Sequence, residues 1–240
     1  MRSTGLIAAF LCLFASVATG ADPRVVEMGR EIVQGGGIPP DFACRRCHGA
    51  NGEGKPEEDA PRLAGQPRFY LEKQLLDFVD GTRRSEKMTP VARALSEEQR
   101  EAAAAYYASL HAVPYPEAPY GDPALVQQGG ILSAIGDAGR EIDACEICHA
   151  DAGVGIAPSF PYIAGQYADY TERQLRAWKQ GSRRNDPLDV MAGIAERLSD
   201  EEIRAVALYF ARVRPPSESL SSPIPEEPIP PPPDAPSIQD

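Results

Sequence analysis

The chain has 240 residues, 42% of them hydrophobic and 25% charged, and a formal net charge of −11. That length allows one large domain or two small ones. No basic run or basic helix face stands out, which argues against a nucleic-acid partner. The acidic balance favours solubility and a partner that presents positive charge.

The N-terminus reads as a signal peptide over residues 1–21. Arg2 is a short positive region, Leu6 to Val17 is apolar, and Ala18-Thr19-Gly20-Ala21 offers small residues for cleavage. The apolar run is shorter than the ~20 residues a membrane span needs. Cys12 follows Phe10 and Leu11, where a lipoprotein signal would place small residues, so it is expected to leave with the leader.

The first helix is predicted over about Pro23 to Gln34, with Val25, Val26, Met28 and Ile32 on an apolar face. Gly29 in its middle costs about 1 kcal/mol relative to Ala and suggests a close helix contact. Cys44-Arg45-Arg46-Cys47-His48 then reads C-x-x-C-H, the attachment signature of a c-type haem. The spacing lets two thiols reach one edge of a porphyrin, and the adjacent imidazole can bind iron. A middle helix covers about Arg68 to Gly81 through Tyr70, Leu71, Gln74, Leu75 and Phe78. Ser96-Glu97-Glu98-Gln99 is a capping box that opens a last helix running to about Leu110. His111 sits beyond it, next to the linker and without a counterpart in the second half, and reads as a surface or interface residue, with a bis-His haem as the minor alternative.

Residues 113–122 hold Pro114, Pro116 and Pro119 and form an extended, rather stiff linker. After it the chain repeats itself. Ala64-Gly65-Gln66 returns as Ala164-Gly165-Gln166, Tyr70 and Gln74-Leu75 as Tyr170 and Gln174-Leu175, and Gly81-x-Arg83-Arg84 as Gly181-x-Arg183-Arg184. C-x-x-C-H returns as Cys145-Glu146-Ile147-Cys148-His149, and the capping box as Ser199 to Glu202. Helices are expected over about Pro123 to Ile135, Ala168 to Gly181 and Ser199 to Val213. Two domains follow, 22–112 and 123–214. Residues 215–240 carry ten prolines and five acids without Lys or Arg, a composition expected of a disordered tail.

Apart from Cys12, every cysteine lies in one of the two motifs. Two disulfides or a zinc site are the alternatives, since export suggests an oxidising compartment. The terminal His of each motif and the matched repeat favour haem. Zinc would more usually bring a second C-x-x-C or paired His nearby. The second iron ligand is read from Met88 and Met191, which hold the same loop position between the Gly-x-Arg-Arg element and the last helix of each half. Met28 aligns with Gln128 and is a core residue. His48 with Met88 and His149 with Met191 would each fill both axial positions, which favours electron transfer over catalysis.

This pattern resembles the dihaem cytochromes c4, built from two class I cytochrome c domains. The resemblance runs from about Val25 to Val213, and the second half has Ala150 and Ile163 where the first has Gly49 and Leu63. It implies an all-α fold of two tandem domains, each wrapped around one covalent haem c. Cys44, Cys47, Cys145 and Cys148 would bind the haems, and His48, Met88, His149 and Met191 the irons. Pro61 and Pro161 would accept hydrogen bonds from the ligand histidines. Arg83, Arg84, Arg183 and Arg184 would pair with haem propionates or remain solvated. It also implies a periplasmic carrier of single electrons between redox-protein donors and acceptors, toward a terminal oxidase or reductase that can be membrane-bound. A cytochrome subunit of a larger dehydrogenase or oxidase is the alternative, and a dihaem peroxidase or thiosulfate-oxidising enzyme a weaker one. Residues 22–112 carry a net −2 and residues 113–214 a net −5, so the two haems are expected to differ in potential.

Overall fold

The computed structural model describes residues 21–111 and 113–215. The predicted leader and tail lie outside them, but for Ala21 and Pro215. Among the described residues all regular structure is helical, with three isolated β-bridges in the loops.

The first half contains α1 (Pro23–Val33), α2 (Arg45–His48), α3 (Arg68–Asp80), α4 (Met88–Ala94) and α5 (Glu97–Ala108). The second half repeats the order with α6 (Pro123–Ala134), α7 (Cys145–His149), α8 (Ala168–Lys179), α9 (Val190–Arg197) and α10 (Asp200–Phe210). Local chemistry sets the helix starts. Asp22 accepts a hydrogen bond from the Arg24 amide at 2.9 Å, with Pro23 at the first helical position, and Asp122, Ala124 and Pro123 repeat the device. Both capping boxes form: Ser96 with Gln99, and Ser199 with Glu202.

In each half the first helix crosses the last at a glycine. A Cβ on Gly29 would lie 2.0 Å from the Ala102 carbonyl oxygen, and one on Gly129 would lie 2.2 Å from that of Ala205. Around the first crossing pack Ile32, Leu95, Ala102 and Ala103, with Met28 against them. Around the second pack Leu132, Ile142, Leu175, Leu198, Ile203 and Val206. These crossings fix the position of the loops that carry the C-x-x-C-H motifs.

One expectation needs correction in detail. Met88 and Met191, read as loop residues, stand in the first turns of the short helices α4 and α9. Ser85 Oγ accepts the Met88 amide hydrogen at 3.1 Å, and the Asp186 carboxylate accepts those of Met191 and Ala192. Pro90 falls in the first turn of α4, where its missing N–H costs nothing. Residues 113–122 are pinned to both halves by arginine side chains. Arg62 donates to the carbonyls of Val113 and Pro114, Arg214 to that of Pro116, and Arg212 to that of Pro119. The Tyr115 ring lies within reach of both the Arg62 and Arg214 guanidiniums.

An acid-sensitive contact closes the second half. Arg140 donates to both oxygens of Glu202, which is 8% exposed, and this pair holds the Glu202 carboxyl down at about 2. A depressed carboxyl stabilises the fold above its unfolded value of 4.5 and loses that contribution as pH falls through about 2. Allowing for the 42% exposure of the Arg140 side chain, the contribution is about 1–2 kcal/mol. Urea unfolding of Glu202→Gln should show that loss at pH 7 and a smaller difference from the unmutated protein near pH 3.

Candidate haem-binding sites and the seam between them

The two C-x-x-C-H motifs form single helical turns, α2 and α7. No disulfide joins the four cysteines in them in this structure. Burial pushes the Cys44 and Cys145 thiols up to about 11, which keeps them neutral. Among the described residues, no three His, Cys, Asp or Glu side chains converge as a metal cage would need.

His48 and His149 are buried, at 6% and 8% exposure. The Nδ1 of His48 lies 3.0 Å from the Pro61 carbonyl oxygen, and that of His149 lies 2.9 Å from that of Pro161. A carbonyl can only accept, so each Nδ1 carries the proton and each Nε2 keeps its lone pair free. Burial also lowers both imidazole pKa values; at His48 the charge of Arg83 acts in the same direction, and the proline carbonyl opposes it in both. The neutral form is the one that binds iron.

Met88 and Met191 are half-buried, and Met191 packs on the core of its half. His111 is exposed, as expected. Tyr107 anchors the first motif by donating from its hydroxyl to the Gly49 carbonyl at 3.0 Å, so the aromatic end of α5 packs over the motif. Tyr106 does the same to Ala50 at 2.9 Å.

The Gly-x-Arg-Arg pairs divide. Arg84 and Arg184 are exposed and donate to Gly81 and Gly181 carbonyls. Arg83 and Arg183 are buried at the seam between the halves. Arg83 donates to Gln74, Gln174 and the Tyr170 hydroxyl; Arg183 donates to Gln174, Gln74 and Asn185. These acceptors are neutral, and the buried Asp77 carboxylate near Arg83 bonds Lys73 and Asn185 rather than either guanidinium, so two buried cations share one already paired anion. The Trp178 indole N–H is also buried, with no partner among the described residues. Arg183 stacks 3.8 Å over its ring. A carboxylate-bearing cofactor such as haem suits both features.

The seam has a feature that the sequence marked only as a repeat. Gln66 accepts from the Tyr162 amide at 3.0 Å and donates to the Tyr162 carbonyl. Gln166 accepts from the Arg62 amide and donates to the Arg62 carbonyl, both at 3.0 Å. The pattern is self-complementary, as in a two-fold interface. Each glutamine is presented by a glycine turn, Gly65 at φ +74° and Gly165 at φ +63°.

Residues 36–106 match the family model described as cytochrome c oxidase, cbb3-type, subunit III. The chain is 46% identical over 188 residues to the thiosulfate dehydrogenase electron acceptor of Stutzerimonas stutzeri, covering 77% of this chain and 86% of that one. It is 39% identical over 169 residues to cytochrome c4 of Pseudomonas aeruginosa, covering 70% of this chain and 82% of that one. The chain belongs to the dihaem cytochrome c4 family. Like cytochrome c4, it is an electron-transfer protein that carries two covalently bound haem c groups. Solved structures agree. Reduced cytochrome c4 from Pseudomonas stutzeri superposes with a TM-score of 0.68 at 34% identity, covering 79% of this chain and 98% of that one. Thiosulfate dehydrogenase from Marichromatium purpuratum superposes with a TM-score of 0.71 at 36% identity, covering 78% of this chain but only 40% of that one. The two-domain, all-α cytochrome c architecture expected from the motifs is therefore the one adopted.

Proposed function

We propose that this cytochrome c4 accepts electrons from a thiosulfate-oxidising dehydrogenase in the periplasm and delivers them to a further redox protein, a terminal oxidase or reductase. The donor is taken from the relative at 46% identity, whose name is thiosulfate dehydrogenase electron acceptor. The chain itself is assigned no catalytic residue. A leader over residues 1–21, domains over 22–112 and 123–214 and a tail over 215–240 complete the proposal. No helix among the described residues is long and apolar enough to cross a membrane.

Cys44 and Cys47 would hold one haem covalently, and Cys145 and Cys148 the other. His48 with Met88, and His149 with Met191, would ligate the irons. Each haem supplies one ferric/ferrous couple when bound. The protein's part is to exclude water, fix each imidazole through its proline carbonyl, and offer buried Arg83 and Arg183 and the buried indole N–H of Trp178 as donors toward propionates. The observation that carries the ligand assignment is the pair of buried histidines with Nδ1 tied and Nε2 free.

Two measurements test the proposal. Met88→Ala or Met191→Ala should each remove half of the weak red-edge absorption typical of Met–iron bonding, and rapid carbon monoxide binding should appear at that haem only. Loss of the whole band, or of none, would refute the paired ligand sets. In stopped flow, thiosulfate with its dehydrogenase should reduce the unmutated protein within the enzyme's turnover time. No reduction would remove the donor from the proposal.

A further inference from the structure

We infer that Gln66 and Gln166 are crossed positioning residues, each tuning the haem of the opposite half through a single peptide group. The inference rests on His48 and His149 as the iron ligands.

The Pro61–Arg62 peptide group joins the halves. Its carbonyl accepts from His48 Nδ1 at 3.0 Å, and its N–H donates to Gln166 Oε1 at 3.0 Å. The Pro161–Tyr162 peptide group does the reverse. Its carbonyl accepts from His149 Nδ1 at 2.9 Å, and its N–H donates to Gln66 Oε1 at 3.0 Å. Each glutamine amide is oriented without ambiguity, because Nε2 faces a carbonyl and Oε1 faces an amide hydrogen. Both glutamines, both histidines, Arg62 and Tyr162 are buried, so neither relay is screened by water.

Amide resonance links the two ends of a peptide group. An acceptor on the N–H pushes electron density onto the carbonyl oxygen, which then accepts more strongly from the histidine. Hydrogen bonds in such chains strengthen one another by about 10–30%. A more strongly held Nδ1 proton makes Nε2 a better donor to iron and stabilises the ferric state. Gln66, in the first half, therefore lowers the potential of the second haem, and Gln166 that of the first.

The side chains at the relay positions differ, Arg62 in one half and Tyr162 in the other. The partner glutamine reads only backbone, so the relay constrains the glutamine and leaves residue 62 or 162 free to vary. Tyr162 instead meets the linker through the Tyr115 hydroxyl, and Arg62 through Val113 and Pro114.

The test is an NMR-monitored redox titration of the full dihaem protein, followed haem by haem. Gln66→Leu should raise the potential of the C-terminal haem, and Gln166→Leu that of the N-terminal haem. The expected change is about threefold in the reduction equilibrium, or about 30 mV at 59 mV per tenfold for one electron. The haem in the mutated half should stay within a third of that shift. A loosened seam would give a different result, because added water stabilises ferric iron at both haems and lowers both potentials. Gln66→Glu keeps an acceptor for the Tyr162 amide and serves if the leucine variant fails to fold; it should lower the C-terminal potential more than the N-terminal one. Equal shifts at both haems, a shift confined to the mutated half, or a fall in the leucine variants would overturn the relay. Shifted axial-imidazole resonances in the unmutated protein check the ligand reading separately. Their absence from both haems would refute that reading, and the relay with it.

Discussion

Gly129→Ala should destabilise the protein by about 2–3 kcal/mol, although alanine is the better helix former. Propensity alone predicts a gain of about 1 kcal/mol. The added Cβ, however, would lie 2.2 Å from the Ala205 carbonyl oxygen and 2.6 Å from its carbon. These are backbone atoms of α10, so relief requires the whole helix to move. Overpacking of that kind costs about 1–3 kcal/mol or more, and here it strips contact from Ile203 and Val206 as well. Gly130 is the control. A Cβ there meets only the Tyr209 ring, at 3.1 Å, and that side chain can shift. Gly130→Ala should fall within about 0.5 kcal/mol of the unmutated protein. Urea unfolding of the two variants, read at α-helical circular dichroism, separates clash from propensity.

The pattern of residues carried the fold further than it carried the seam. Helix starts at Asp22-Pro23, Ser96 and Ser199 are local chemistry, and they could be read from a few adjacent residues. The glycine in the middle of each first helix pointed to the crossing that forms. The short helices at Met88 and Met191 escaped because their start depends on Ser85 and Asp186, three and five residues upstream. The different reach comes from residues 187–189, a single turn with Leu188 and Asp189 at positive φ. It accounts for the repeat spacing growing from 100 to 103. Ala-Gly-Gln was visible as a repeat, but its work is done across the seam, on the backbone of residues 96 and 104 positions away. Only the folded chain brings Gln66 to Tyr162. Arg83 and Arg84 show the same limit: adjacent and identical in type, one is buried in the seam and the other is in solvent.

Cys145→Ser combined with Cys148→Ser should leave one covalently bound haem per chain, the largest change expected of any substitution at the proposed sites. No disulfide ties up any of the four motif cysteines, so each pair can supply two thioether bonds. The haem-to-chain mass ratio and the haemochrome absorbance should both fall by half. The N-terminal haem should keep its red-edge band, because His48, Pro61 and Met88 all lie in the other half. Its potential is the finer reading. Gln166 follows Ile163 and Gly165, which pack against Gly153 and Phe210 in the C-terminal half, so the altered half must still fold to present that glutamine to Arg62. Retention of the Gln166 contact predicts an N-terminal potential moved only by the lost charge of its neighbour. Were the cysteines a structural disulfide instead, the same double substitution would cost about 2–5 kcal/mol of stability and leave haem content untouched. Mass spectrometry of the denatured protein decides between them.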